Sequence, residues 1–280
     1  MAGIRELKKH LKSVNMTGQL AGAMKTVSAA KFSRVHSVLS SYSEYAKTCE
    51  NLMKEFGKSF STALFSPNPD APECFVVIAS NRGLCGGYNA ELLAFADDVL
   101  EKSKDERIIV ACGKMASAHF REKKTETESE FVFPDVPLYE DCAQFCDYLT
   151  GMFKEGRISA LFMIYPKFEN MLKQTPAVKK ILPFETCEEA DEKNKDDDGT
   201  LYVPDKKSVV REIAQSFLRT TLYSTVLEAA VGAQAATLMA MRSAYDSALS
   251  SAAELENVIS RKRQGEVTAG VIETSSDNNQ

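Results

Sequence analysis

The sequence has little of several residue types, and each shortage disfavours a class of protein. Its 280 residues include no tryptophan, three histidines and seven cysteines, and the cysteines lack the paired spacing of metal knuckles. A disulfide scaffold and a zinc site are therefore disfavoured, and a reducing cytoplasm fits best. The longest apolar run, 226–241, is mostly alanine and contains Glu228, so we expect no membrane span. The charged N-terminus contains no apolar signal core.

One short segment carries the net charge of −5. Residues 188–198 contain seven acids and two lysines, which is −5, so the rest of the chain sums to zero. Without a basic excess, we expect no nucleic-acid partner. Cys142 and Cys146 are one helical turn apart, and we expect them to pack as small apolar residues.

Proline is absent from both ends of the chain, before Pro67 and after Pro204. In the N-terminal stretch, apolar residues recur in alternating steps of three and four, which predicts a coiled coil. These seam positions are Ile4, Leu7, Leu11, Val14, Gly18, Ala21, Lys25, Ser28, Phe32, Val35, Leu39, Tyr42, Ala46, Cys49, Met53 and Phe56. The same steps recur over 213–259. A second apolar line of Leu20, Met24 and Val27 indicates a second partner.

Helices of this length, about 80 and 100 Å at 1.5 Å per residue, cannot fold back into a ball, and we expect a rod. Because both flank one central segment, they should pair antiparallel, with Phe56 beside Val209 and Arg5 near Ser260. Two basic clusters would then share the far tip and favour an acidic partner surface. The clusters are Arg5, Lys8, Lys9 and Lys12, and Arg261, Lys262 and Arg263.

The centre of the chain alternates apolar runs with helical stretches, which predicts a mostly parallel, Rossmann-like α/β domain. The expected strands are 74–80, 107–112, 158–165 and 176–184, with 201–203 at an edge. The expected helices are 90–103, 114–123 and 139–155. The predicted divisions are a helix over 1–60, an α/β domain over 73–205, a second helix over 206–273 and a flexible tail over 274–280.

Two motifs invite a chemical interpretation. Glycine-rich residues 81–89 follow a strand and precede a helix, where a phosphate cradle would lie, but their spacing matches neither G-x-G-x-x-G nor the P-loop. Residues 194–205 approach a calcium EF-loop, yet Asp replaces the bidentate Glu, so a solvated turn is the better interpretation. No catalytic constellation is present. A nucleotide- or phosphate-binding protein with coiled-coil arms remains an alternative, as does a coiled-coil scaffold.

Three segments, in order along the chain, resemble the gamma subunit of bacterial-type F-type ATP synthase, the central rotor shaft. Residues 13–31 are similar to the run S-V-x-x-T … A-M-K-M-V-A-A-x-K. Residues 80–89 resemble the signature S/T-D-R-G-L-C-G-G-x-N, with Asn81 in place of Asp. Residues 239–268 resemble M-x-A-M-x-x-A-x-x-N-A followed by N-x-x-R-Q-x-x-I-T. The signature residues singled out here are Arg82, Gly83, Gly86 and Gly87.

The resemblance implies a non-catalytic subunit that binds no cofactor or metal itself. Its coiled coil would stand inside a hexamer of alternating alpha and beta subunits. Its central domain would grip, with the epsilon subunit, a membrane ring of c subunits, at the cytoplasmic face of the cell membrane. It also implies contacts with the beta subunit. The implied contact residues are Met24, Lys25, Arg263 and Gln264.

One segment departs from the family pattern. Where the family often carries S-E-H-A-A-R-M, this chain has 232–238, with Ala233 replacing the acid and Thr237 replacing the arginine. We expect a polar contact between shaft and housing to be lost there.

Overall fold

The computed structural model describes residues 3–56, 68–103, 106–183, 203 and 205–277. Two long helices flank a central α/β region, which confirms the predicted fold class. Helix α1 spans Ile4–Phe56 (53 residues) and helix α5 spans Lys206–Asp277 (72 residues). The other helices are α2 (Tyr88–Lys102), α3 (Lys114–Glu122) and α4 (Tyr139–Lys154). The strands are β1 (Glu73–Ile78), β2 (Arg107–Cys112), β3 (Ser129–Phe131), β4 (Ala160–Asn170) and β5 (Lys173–Leu182).

The chain divides into two compact units, and the described residues of the first lie in α1 and α5, apart from Gly3. The first unit comprises Met1–Ser28 and Thr237–Gln280. A Cβ atom built on Gly18 would lie 3.1 Å from the Cβ of Ala248, and one on Gly22 would lie 3.1 Å from the ring of Tyr245. Moving forward along α1 therefore moves backward along α5, so the helices pair antiparallel. The predicted register is confirmed to within two residues.

The second unit, Ala29–Ala236, is built on a five-stranded sheet in the order β3-β2-β1-β4-β5. Strand β1 pairs in parallel with both β2 and β4, and β2 pairs in parallel with β3. Only the β4–β5 pair among the described strands is antiparallel. Parallel strands need helical crossovers, and α2, α3 and α4 supply them. The mostly parallel sheet of the prediction is confirmed.

Alternate residues of β1 point into two separate cores, as the two-residue period of a strand requires. Cys74, Val76 and Ile78 join the core formed with α1, α4 and α5. Phe75 and Val77 face the opposite core, which α2 and α3 cover. The sheet is thus apolar on both faces, which is typical of a parallel sheet covered on both sides.

Within the second unit, α1 and α5 contact each other through aromatic rings. The rings of Tyr42 and Tyr223 meet edge to face with centroids 4.8 Å apart. The Tyr42 hydroxyl lies 3.3 Å from Thr220 Oγ1. Burial raises the pKa values of Tyr42 and Tyr223 to about 12, so both phenols stay neutral hydrogen-bonding groups. The pairing of Tyr42 with Tyr223 fits the predicted antiparallel register, in which Phe56 lies beside Val209.

The sheet differs from the prediction in two places. Strand β3 was not predicted, because Ser129–Phe131 is short and two of its three residues are polar, so the sequence shows no apolar run there. Strands β4 and β5 form a longer hairpin than predicted, with a turn in which Asn170 Oδ1 accepts from the N–H groups of Leu172 and Lys173 at 2.9 and 3.0 Å. The acidic segment 188–198 and the EF-like residues 194–199 lie outside the described residues, as do 201–202 of the expected edge strand.

Six cysteines lie within the described residues, and all six are free and buried. Burial raises the pKa values of the Cys142 and Cys146 thiols to about 12, so both remain protonated and pack as apolar groups, as predicted. Across the described helices, none combines the length and apolar character that a bilayer span requires.

The fold predicts opposite effects for the same substitution at two glycines. Gly113 has φ +90°, and a Cβ there would lie 2.1 Å from the carbonyl oxygen of Ala79, so Gly113→Ala should lower the free energy of unfolding by at least about 2 kcal/mol. Gly151, inside α4, has open space at this position, so Gly151→Ala should raise it by up to about 1 kcal/mol. Urea unfolding of both variants measures the difference. Equal effects at the two sites would contradict the close approach of Gly113 to the carbonyl oxygen of Ala79.

Candidate functional site

The glycine-rich turn between β1 and α2 is held by hydrogen bonds to its own backbone. The Arg82 carbonyl accepts from Ser80 Oγ at 2.6 Å and from Asn89 Nδ2 at 3.4 Å. Asn89 is buried, and its Oδ1 accepts from the Ser80 N–H at 3.1 Å. Gly86 has φ +61° and Leu84 has φ 63°, so the chain reverses through two left-handed residues.

The four signature residues named from the sequence are all exposed to solvent. Arg82, Gly83, Gly86 and Gly87 are exposed, whereas Cys85 and Tyr88 point inward. Gly87 is the N-cap of α2. The turn therefore presents backbone and Arg82 outward while it buries one thiol and one aromatic ring.

Tyr88 docks the turn onto α5. Its hydroxyl donates to the carbonyl oxygen of Ala229 at 2.7 Å, and its ring forms a small apolar cluster with Cys85, Ala233 and Ala236. A Cβ on Gly232 would lie 3.3 Å from the Tyr88 ring, so the ring packs directly on the α5 backbone. Burial raises the pKa of the Tyr88 phenol well above its usual range, which keeps it a donor.

The start of α2 is poorly suited to a phosphate. Glu91 lies in the first turn of α2, and a Cβ on Gly87 would come within 2.5 Å of its Oε1. This carboxylate already complements the helix dipole, and it would repel an anion at the same N-terminus. The turn is thus better explained as a packing element than as a phosphate cradle.

The loop between β3 and α4 contacts both long helices inside the second unit. Asp135 forms an ion pair with Lys31 of α1. The carbonyl of Pro137 accepts from the Tyr223 hydroxyl of α5 at 3.1 Å. Lys31 of α1 and Tyr223 of α5 are therefore both bound to the same short loop.

A half-buried carboxyl, Glu228, lies on α5 next to Ala229. Burial raises its pKa, while Lys179 and Lys167 and a hydrogen bond with Tyr165 act in the opposite direction. Its Oε2 atom is buried and has no hydrogen-bond partner. The ionised form is therefore less favourable in the folded chain than in water.

Met24 and Lys25 lie together in the first unit and are half-buried. The Lys25 ammonium lies 4.3 Å from the centroid of the Tyr245 ring, within cation–π range. Leu20 and Val27 beside them are 61% and 53% exposed. Two of the three residues of the second apolar line, Leu20 and Val27, are thus exposed, and Met24 is half-buried.

Arg263 and Gln264 lie further along α5 in the same unit, and both are exposed. At 1.5 Å per residue, Arg263 is about 27 Å along the helix from Tyr245, so these two residues form a separate group from Met24 and Lys25. The exposed basic residues Arg5, Lys8 and Lys12 belong to the same unit. In the described part of the chain, no three His, Cys, Asp or Glu side chains cluster as metal ligands would.

Comparison with known proteins decides the family. A family model described as ATP synthase matches residues 3–276, which is nearly the whole chain. The chain belongs to the ATP synthase gamma-chain family.

Two curated relatives bear this out. The ATP synthase gamma chain of Alkaliphilus metalliredigens is 29% identical over 278 residues, covering 97% of this chain and 96% of the relative. The gamma chain of Rubrobacter xylanophilus is 28% identical over 283 residues, covering 98% and 96%. The predicted family is confirmed.

Solved structures share the fold. A chain of the Euglena gracilis mitochondrial ATP synthase rotor has a TM-score of 0.62 at 15% identity, covering 94% of this chain and 98% of that one. A chain of the Tetrahymena thermophila central stalk and c-ring structure has a TM-score of 0.61 at 17% identity, covering 80% and 99%. The arrangement of two long helices and a central sheet is therefore shared at low identity.

The residues that hold the second unit of this gamma-family chain together were not predicted from the sequence. Tyr88 was counted only as part of the signature, and its acceptor at Ala229 is distant in sequence. Gly232 and Ala233 were noted as departures from the family pattern, and the structure places both against the Tyr88 ring. A small-residue stretch on α5 together with an aromatic after the glycines is the signal that could have linked them.

The half-buried carboxyl of Glu228 leads to a prediction about stability and pH. Because the folded-state pKa of Glu228 is raised, its ionisation costs stability, and this loss develops as the pH rises through the unfolded-state pKa near 4.5 and up to the folded one. Glu228→Gln should therefore be more stable than the parent chain at neutral pH, and the advantage should vanish at low pH. Thermal unfolding across this pH range measures it.

Glu169→Gln is the matched control for this measurement. Glu169 is exposed, and hydrogen bonds with Lys173 and Thr175 lower its pKa, so the same change should give no gain at neutral pH. A Glu228→Gln variant that is less stable than the parent at pH 7 would show that the carboxylate is favourably paired.

Proposed function

We propose that this chain is the central rotor shaft of an F-type ATP synthase, coupling transmembrane ion flow to ATP synthesis or hydrolysis. The observation that carries the proposal is the family match over residues 3–276, together with curated gamma-chain relatives that span the same length. Helices α1 and α5 are each continuous, which suits an element that must resist bending and twisting.

The proposed role is mechanical, and the chemistry belongs to other subunits. The beta subunits of the complex bind, convert and release nucleotide as the asymmetric shaft turns. The glycine-rich turn of this chain supports the division of labour, because Glu91 and the docked Tyr88 leave it unsuited to phosphate. A shaft transmits work through contacts that change partner with angle.

The proposed partners are the alpha and beta subunits of the hexameric head, the epsilon subunit and the c-subunit ring. Another matched structure is described as an OSCP/F1/c-ring assembly of Euglena gracilis, with a TM-score of 0.65 at 16% identity. We place this chain peripherally at the cytoplasmic face of the cell membrane, held there through the complex.

Two groups of residues are proposed to contact beta subunits. Met24 and Lys25 would meet the acidic lever segment of beta, and Lys25 is already held at 4.3 Å over the Tyr245 ring. Arg263 and Gln264 are exposed and would contact a beta loop near the tip. Exposed cationic side chains next to an acidic surface give orientation and specificity rather than large affinity.

Purification of the tagged chain from gently solubilised membranes tests the proposed function. Every bound protein is identified and its amount measured relative to the chain. The proposal predicts alpha and beta in excess over this chain, with epsilon and c subunits also present. A folded, monodisperse chain that recovers none of these would overturn it.

The tip contact makes a separate prediction. The double variant Arg263→Ala with Gln264→Ala should weaken coupling or assembly of the complex, while the thermal unfolding of the isolated chain stays unchanged, because both side chains are exposed. ATP hydrolysis and proton pumping by purified complexes measure the effect. Deletion of 275–280 serves as a control that should leave both activities intact.

Unchanged hydrolysis and pumping in the double variant would contradict the beta contact. Failed assembly after deletion of 275–280 would contradict the expected independence of the tail.

A further inference from the structure

We propose that Lys31 is a positioning residue, through which the loop between β3 and α4 holds the paired helices in a fixed rotational position and passes torque to them. The loop comprises residues 132–138, and its contacts with both helices lie within the second unit. The torque-bearing role rests on the proposed rotor function, whereas the attachment rests on the contacts alone. Lys31 is the last residue of the family-like run 13–31, and the sequence by itself suggests no role for it.

The attachment to α1 is an ion pair between Lys31 and Asp135. Their side chains are 30% and 25% exposed, so the pair lies at the edge of the core rather than in open solvent. Phe32 and Val35, which follow Lys31 within about one turn of α1, belong to this core or pack against it. A lysine can lay its apolar stem along such a core and still bring its ammonium group to the loop.

The same loop is attached to α5 through a buried phenol. The Tyr223 hydroxyl donates to the Pro137 carbonyl oxygen at 3.1 Å. The Tyr223 ring also contacts the ring of Tyr42 on α1, with centroids 4.8 Å apart. Tyr42 lies about three turns of α1 beyond Lys31, so the loop is attached to the helix pair at two heights roughly 16 Å apart. Attachments at two heights and on two helices oppose both tilting and rotation of the pair.

The loop is held at both ends, as a segment that carries load must be. At its start, Phe131 and Phe133 meet the ring of Phe145 in α4 edge to face, with centroids 5.1 and 5.2 Å apart. At its end, the Leu138 N–H donates to Asp141 Oδ2 at 2.8 Å, and the Asp141 N–H donates to the Leu138 carbonyl oxygen at 3.1 Å. The loop is therefore fixed to the second unit through α4.

Charge reversal in the full chain tests the attachment. Lys31→Glu replaces the attraction to Asp135 by a repulsion, so amide hydrogen exchange in 132–136 should rise roughly fivefold at pH 8. Adding Asp135→Lys restores an ion pair with the charges exchanged, and the double variant should exchange as slowly as the parent chain. Such a rescue requires direct pairing of the two side chains. Exchange that is faster in the double variant than in either single variant would overturn the pair.

Lys123→Glu is the matched control. Lys123 pairs with Asp97 at 2.7 Å, and the Asp97 side chain is 20% exposed, close to the value for Asp135. This second lysine–aspartate pair joins α2 and α3, which cover the opposite face of the sheet. Its reversal should leave exchange in 132–136 at the level of the parent chain. An equal rise there would overturn the specific role of Lys31.

A milder variant keeps the test decisive if Lys31→Glu does not fold. Lys31→Met retains an apolar stem and removes only the charge, so exchange in 132–136 should rise about twofold. Exchange that stays at the level of the parent chain in Lys31→Met would overturn the attachment.

The torque-bearing role is tested in the assembled complex. Complexes that carry Lys31→Glu should keep the uncoupler-stimulated ATP hydrolysis of the parent but pump fewer ions per ATP against an opposing gradient. The double reversal should restore the parent ratio. Faster exchange with a normal ratio, or a ratio that stays low after exchange has been restored, would overturn the torque role. Failure of the parent chain to assemble with alpha and beta is a separate result, which would count against the rotor function.

Discussion

The pairing of two long helices is the constraint on which the rest of the structure depends. Neither α1 nor α5 can bury its apolar seam alone, and isolated helices gain most of their stability from such burial. Small residues allow close approach in the first unit, where an added Cβ on Gly18 would lie only 3.1 Å from that of Ala248. In the second unit, the edge-to-face rings of Tyr42 and Tyr223 take over the same task. An antiparallel pair of this kind requires the chain to return, and the central α/β segment makes the return.

The central unit does more than connect the helices, because it shares a core with them. Val35 of α1 and Leu222 and Leu227 of α5 belong to the same buried cluster as the strand residues Val76 and Met163. Polar contacts at the edge of this core come from the glycine-rich turn and the β3–α4 loop. A family motif that looks like a ligand-binding loop is thereby explained as a structural attachment. Its glycines let the chain reverse tightly, and in this chain Tyr88, at the variable position of the motif, reaches α5.

The periodic parts of the fold could be predicted from the sequence, and the irregular parts could not. The steps of three and four around Leu39 and Leu227 follow directly from helix geometry, and the strand at Phe75 to Val77 shows as a β-branched run. Strand β3 lacks an apolar run, and the long hairpin carries Pro166 opposite Pro176, which weakens any strand signal. Both depend on neighbours supplied by the rest of the sheet.

In the candidate site, too, some features could be predicted from the sequence and others could not. The glycine-rich turn was located by its residue types, but the bond from Tyr88 to Ala229 joins residues 141 positions apart, and no local pattern encodes it. Met24, Lys25, Arg263 and Gln264 were selected by family resemblance, because exposed side chains on a helix show no periodic signature of a partner. Asn81 was recorded only as a departure from the family signature, and its two hydrogen bonds became apparent with the loop in place.

Direct observation of rotation tests the central claim, that this chain turns as a shaft within the ATP synthase head. The described cysteines are buried, so a probe attached to Lys102→Cys, with Cys187 replaced by serine, would report on an exposed position at the end of α2. With alpha and beta immobilised and ATP supplied, the account predicts rotation of the probe in one direction at a rate that follows ATP hydrolysis. Complexes that hydrolyse ATP while the probe stays fixed would contradict it.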